Sequence, residues 1–292
     1  LVGSEMCIRD RLDTCPNIVT CQDLSYVPNG YGWDIYFRME LLHPLKQVIQ
    51  NSYAETDVIQ LGIDICSALI ACESVKIIHR DIKPDNIMVS SDGTFKLGDF
   101  GIAKTSEKTQ TGTMAGTYNY IAPEVANRKR YGLAADIYSL GMVLYWMMNN
   151  KTMPFLPLPP QIPSASQKQQ ALNRRFSGEQ LPEPQNGSRE LKEIVAKACA
   201  YAPEDRYHSA LEMRNALEAL SSSKQAWTKA ILEELALPED ILHESNRPIA
   251  QRAAAEENRQ NPIFLPRSGN QSYRWSSAEF SESVFLREDF SG

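Results

Sequence analysis

The sequence predicts an α+β fold that is mainly helical, with a two-strand piece ahead of the helices. Three patterns carry this expectation. Trp33, Ile35, Phe37, Met39 and Leu41 sit at every second position, the period of a strand. Val58, Leu61, Ile65, Leu69 and Cys72 recur at helical spacing. Residues 136–148 are apolar almost all the way round, as in a helix buried inside a helical body.

Taken in order, residues 1–11 (LVGSEMCIRDR) resemble the translation of a sequencing-library adapter and are set aside, as a tag or fusion scar would be. The natural start is then expected upstream. Residues 17–42 read as a hairpin: Ile18 and Val19 open one strand, residues 28–32 (PNGYG) are turn chemistry, and the alternating run follows. A helix over residues 57–75 leads to a second hairpin, in which residues 87–89 and 94–97 flank Asp92-Gly93 as a two-residue turn. Residues 153–163 hold too many prolines for a helix interior. Leu191, Ile194, Val195 and Ala198, then Ala210, Met213, Leu217 and Leu220, mark two more amphipathic helices. The compact domain is expected to stop near Leu220. Residues 221–243 allow one further helix, and residues 244–292 read as a disordered tail, with too little clustered apolar surface to offset ordering entropy.

Composition narrows the function classes. The 292 residues hold 36 acidic against 30 basic side chains, so no whole-chain field favours nucleic acid or anionic lipid. Six cysteines lack paired C-x-x-C spacing, which predicts neither a zinc site nor a disulfide framework and fits a reducing, cytoplasmic setting. No apolar run reaches the roughly 18–20 residues of a membrane span, although an anchor elsewhere is compatible with that.

The chemistry concentrates in residues 79–86 (HRDIKPDN), which place a carboxylate, an amine and an amide in one loop. Phosphoryl transfer needs those types: a carboxylate for the attacking hydroxyl, a cation on the migrating group and an oxygen ligand for magnesium. With Asp92-Gly93 as a two-residue turn, paired positions in the second hairpin sum to 185, so Asn86 faces Asp99 and two hard oxygen donors converge. The loop, Asp99-Phe100-Gly101, Ala122-Pro123-Glu124 and residues 136–141 (DIYSLG) together resemble the protein-kinase signature set in order and spacing. Taken singly, each piece also reads as a turn, a helix start or a helix cap.

The likeness is to Hanks-type serine/threonine protein kinases of bacteria. It implies a kinase-like fold: a mainly helical C-lobe at residues 43–220, and at residues 12–42 a remnant of the N-lobe and hinge. It implies Asp81 as catalytic base, Lys83 on the transferred phosphoryl group, and Asn86 and Asp99 as magnesium ligands. Thr117, within residues 116–120 (GTYNY), joins the catalytic set and with Lys83 implies Ser or Thr hydroxyls as acceptors. Met39, Glu40 and Leu42 resemble the hinge that meets the adenine of ATP, with Met88 beneath the purine. Arg206 is implied to pair with Glu124.

Between Gly101 and Gly116, Thr109 and Thr111 are the expected autophosphorylation positions, with Arg80 as the guanidinium that pairs with a phosphate. The Gly-rich loop, the strand lysine and the helix glutamate of a complete kinase have no counterpart in this sequence; Glu5 lies one residue off the spacing. This piece is therefore expected to be inactive alone. A non-catalytic pseudokinase or partner-binding module is the alternative from another class, and a small-molecule phosphotransferase of the same fold is a third.

Overall fold

The computed structural model describes residues 12, 14–28, 33–49, 53–99, 118–128 and 132–234. Two antiparallel strands, β1 (Cys21–Pro28) and β2 (Trp33–Met39), form a sheet of their own. Their turn at residues 29–32 and the side chains of Trp33, Ile35 and Phe37 lie outside the described part. Tyr26, Val27, Tyr36 and Met39 are exposed, so this sheet has apolar side chains facing solvent.

Ile18 does not open β1. It bridges in parallel to β5 (Phe95–Leu97): the Val19 N–H donates to Leu97 O at 3.0 Å and the Leu97 N–H to Asn17 O at 2.8 Å. On its other side β5 pairs with β4 (Ile87–Val89), and β4 pairs with the two-residue β3 (His43–Pro44).

The β4–β5 hairpin corrects the expected register. Ile87 faces Leu97, Met88 faces Lys96 and Val89 faces Phe95, so paired positions sum to 184 rather than 185. The loop has three residues, Ser91 to Gly93, with Ser90 and Thr94 closing it through the Ser90 N–H to Thr94 O bond at 3.0 Å. Gly93 takes the left-handed position (φ 88°) that a three-residue loop requires, and Ser90 Oγ also accepts from the Thr94 N–H at 3.1 Å. Asn86 therefore stands opposite Gly98, whose N–H donates to Asn86 O at 2.8 Å, and Asp99 follows one residue later.

Seven α-helices occur among the described residues: α1 (Leu45–Val48), α2 (Glu55–Ser74), α3 (Pro123–Ala126), α4 (Leu133–Met148), α5 (Ala165–Phe176), α6 (Arg189–Ala198) and α7 (Ala210–Glu234). The Asp57 carboxylate starts α2 by accepting from the Ala54 N–H at 2.6 Å. Helix α4 begins at Leu133 with Gly132 at its cap, so Asp136 lies inside the helix and leaves its carboxylate for other work. All residues 135–148 of α4 are buried. Residues 153–163 are non-helical, as their prolines dictate. Helix α7 is continuous past Leu220, where the sequence marks a break. Ser223 Oγ returns its hydrogen bond to Ala219 O at 2.9 Å, and Lys224 Nζ reaches Glu55 on α2 at 2.7 Å. Residues 235–292 lie outside the described residues, as does the expected tail. No helix among the described residues is long and apolar enough to cross a membrane.

The core depends on close approach of α4 and α6 at Gly141. A Cβ there would lie 2.7 Å from Cys199 Sγ and 2.9 Å from the Ala198 Cβ, inside van der Waals contact. Gly141→Ala is expected to lower the unfolding free energy by about 1–3 kcal/mol in urea titration, as overpacking does. Gly132→Ala has no atom within 4 Å of the added Cβ and serves as the reference, with a change within about 0.5 kcal/mol.

Candidate active site

The loop at residues 79–86 is held from below by one buried carboxylate. Asp136 on α4, 1% exposed, accepts from the His79 N–H at 2.8 Å and from the Arg80 N–H at 2.9 Å. Arg80 adopts φ 71°, a left-handed conformation that turns two successive N–H groups onto one anion. Burial raises the Asp136 pKa, opposed by these two backbone bonds. The ring of His79 bridges onward: Nε2 lies 3.0 Å from Gly98 O, and Nδ1 accepts from the Asp81 N–H at 3.4 Å. Those partners assign the proton to Nε2 of a neutral ring, and burial pushes its pKa down. One histidine thus ties the loop to the residue that precedes Asp99.

Within this frame Asp81, 5% exposed, meets two side chains of its own loop. Lys83 Nζ lies 2.9 Å from Asp81 Oδ2, and Asn86 Nδ2 donates to Asp81 O at 2.8 Å and to Oδ2 at 3.1 Å. Both Asn86 amide bonds to Asp81 use its NH2 group, so its oxygen is the end left for a cation. A short 3-10 turn, Pro84–Asn86, delivers Asn86 into β4. Asp99 is exposed at φ 49°, beside Asn86 across the hairpin. Asn86 and Asp99 offer two hard oxygen donors, a set that fits a magnesium ion completing its shell with water and phosphate oxygens.

The hinge-like residues lie close by. Met88 is half-buried at the centre of β4, Met39 ends β2, and Leu42 is half-buried just before β3. The Glu40 carboxylate grips Lys96 on β5 at 2.9 and 2.7 Å and accepts from the Thr20 N–H at 3.0 Å. Sequence reasoning passed over Lys96, although its register opposite Met88 puts it on the same face of the sheet. Thr117, Thr109 and Thr111 lie outside the described residues, as do Phe100 and Gly101.

Two buried arginines fix the segment that follows Thr117. Arg206 pairs with Glu124 through two bonds of 2.8 Å, the contact the resemblance implies, and also donates to the carbonyls of Ala134, Ala200 and Tyr201. Arg175 on α5, which sequence reasoning missed, donates to the carbonyls of Tyr118, Asn119 and Ile121.

The neutral His79 gives the site a pH dependence. Its folded pKa lies below the unfolded value of about 6.5, so the unfolded chain takes up the proton first. The stability this supplies is complete above pH ~6.5 and is lost as pH falls below it. Since Asp136 shifts in the opposite sense, the comparison is with His79→Gln: the wild type is expected to lose more melting temperature between pH 7 and 5 than the variant.

The protein kinase domain model matches residues 1–219, a span that includes the eleven residues set aside above. The chain is 37% identical over 158 residues to a putative serine/threonine-protein kinase A of Trypanosoma brucei brucei, covering 53% of this chain and 35% of that one. It is 34% identical over 209 residues to a probable serine/threonine-protein kinase PknB of Lactococcus lactis, covering 68% and 31%. With the serine/threonine-protein kinase PknB of Mycobacterium leprae it shares 31% over 222 residues, covering 68% and 32%. The chain spans about a third of the length of these relatives. The loop around Asp81 clamped from α4 and the Arg206–Glu124 pair that fixes the segment after Thr117, together with these matches, place the chain in the protein kinase domain family, of the Hanks serine/threonine type.

Proposed function

We propose that the gene encodes an ATP-dependent protein kinase that transfers the γ-phosphoryl group to Ser or Thr hydroxyls of proteins, and that Asp81 orients the attacking hydroxyl and accepts its proton. The observation that carries this reading is the Asp81 carboxylate, buried yet fixed by Lys83 and Asn86 of its own loop. Both contacts converge on Oδ2, and a carboxylate gripped there by two side chains keeps one orientation, which is what in-line transfer needs from the protein. Lys83 is near enough to hand its charge to the migrating group.

Asn86 and Asp99 would hold magnesium, which when bound neutralises phosphate oxygens. Glu40 and Leu42 would meet adenine through the backbone, and Met39 and Met88 would border the purine. Thr117 would support the acceptor side. Thr109 or Thr111 would be autophosphorylated, with Arg80 as phosphate partner. The protein would reside in a reducing, cytoplasmic setting, which would keep the thiols of Cys15, Cys66, Cys72 and Cys199 free; burial pushes those of Cys72 and Cys199 up to about 12. Residues 1–292 alone lack the Gly-rich loop and strand lysine, so this piece would not turn over.

Magnesium-dependent labelling of a generic protein substrate by the longer gene product tests the reading. Asp81→Asn is expected to cut the rate by a factor on the order of 10²–10⁴. An unchanged rate in that variant sinks the assignment. Mass spectrometry of the active product is expected to find phosphate on Thr109 or Thr111; an unmodified segment in active enzyme removes that part alone.

A further inference from the structure

Arg175 is a buried cation that no carboxylate accompanies among the described residues. Its residue is 4% exposed, and among the described residues its partners are three backbone carbonyls, those of Tyr118, Asn119 and Ile121. Carbonyl dipoles and the C-terminal turn of α5 offset part of its charge, and Phe176 stacks on the guanidinium at 4.7 Å. The Nε–H, fully buried, has no acceptor among the described residues. Leaving such a donor unmet costs about 1–3 kcal/mol, more for a charged group, so the cost points to an acceptor.

Arg175 also borders a cavity of about 20 Å³. Its wall carries Lys168, two helical turns earlier on the same face of α5, the polar Asn119, the apolar side chains of Met153, Leu156 and Leu172, and among the described residues no acidic one. The volume takes one water-sized or halide-sized occupant and excludes a phosphate or sulfate. Two cations, one unmet N–H and apolar walls favour an anion over neutral water, because burial strengthens the attraction to an uncompensated charge.

We propose that this cavity is a site for one monatomic anion, chloride in the cell, bound by Arg175 Nε with Lys168 at its side. The anion completes the anchor that fixes Tyr118 to Ile121, so occupancy tightens the segment running into Ala122-Pro123-Glu124. The site stands apart from Asp81 and does not depend on the kinase reading.

The test is thermal melting of the full chain at constant ionic strength, with sodium chloride or bromide replaced by sodium gluconate, whose anion is too large for the cavity. The halides are expected to raise the melting temperature by roughly 2–4 °C. Lys168→Met, at an exposed position, and Arg175→Met are expected to shrink that rise, whereas Arg174→Met, which removes a cation from the same helix away from the cavity, is expected to keep it. Bromide-soaked crystals are expected to show an anomalous peak at hydrogen-bonding distance from Arg175 Nε. If Arg175→Met does not fold, Lys168→Met and the crystal decide. Equal melting in halide and gluconate, or a halide rise untouched by Lys168→Met with no anomalous peak, overturns the proposal and leaves Nε to water or to a carboxylate of this chain.

Discussion

The carboxylate of Asp136 sits where water does not reach, on a helix whose own surface is buried for four turns, and its ionised form is expensive there. Two backbone N–H groups of the neighbouring loop meet it, and those bonds exist only if His79 and Arg80 take one backbone path. That path in turn aims Asp81, delivers Lys83 and Asn86 to it, and sets the imidazole of His79 against Gly98 O. Removing the anion would release the loop and leave two N–H groups unpaired in the core. Helix α4 can act as this platform because Gly141 lets α6 pack tightly behind it.

The two buried arginines show how differently one residue type can be accommodated. Arg206 has all five donors engaged and a bidentate carboxylate, with the Tyr138 ring 4.7 Å from its guanidinium carbon. Such a pair is costly to break from one side, since the surviving charge stays buried. Arg175 holds backbone alone. Between them the chain from Tyr118 to Glu124 is gripped at both ends, by a helix residue and by the connection between α6 and α7, each more than fifty residues further along the sequence.

Most helices were legible because burial imposes a period that composition reveals: α2, α4 and α6 follow their apolar spacing closely. Helix α5 was not, since only one of its apolar residues, Ala171, is fully buried; the signal that marks it is Ser164 and Gln167, which cap one another at 3.2 and 2.8 Å. The hairpin register slipped by one because Asp92-Gly93 alone suggests a two-residue turn, and the competing cue was Ser90, whose hydroxyl reaches the Thr94 N–H. That slip moved Asp99 off the position opposite Asn86 but kept it adjacent. The loop of residues 79–86 was readable as chemistry from residue types alone. Its support from the Asp136 carboxylate was not, because a pairing 57 residues apart leaves no local trace.

The attachment of the β1–β2 sheet has a mechanical side. From His43 onward the chain is stitched to β4, while β1 and β2 pair with each other. The two regions join through the parallel stretch at Asn17 to Val19 and through the grip of Glu40 on Lys96, both of which terminate on β5. Tilt of the β1–β2 sheet would therefore bear on β5, the strand that runs into Asp99. A load placed there would convert tilt above into displacement at the end of a strand only three residues long.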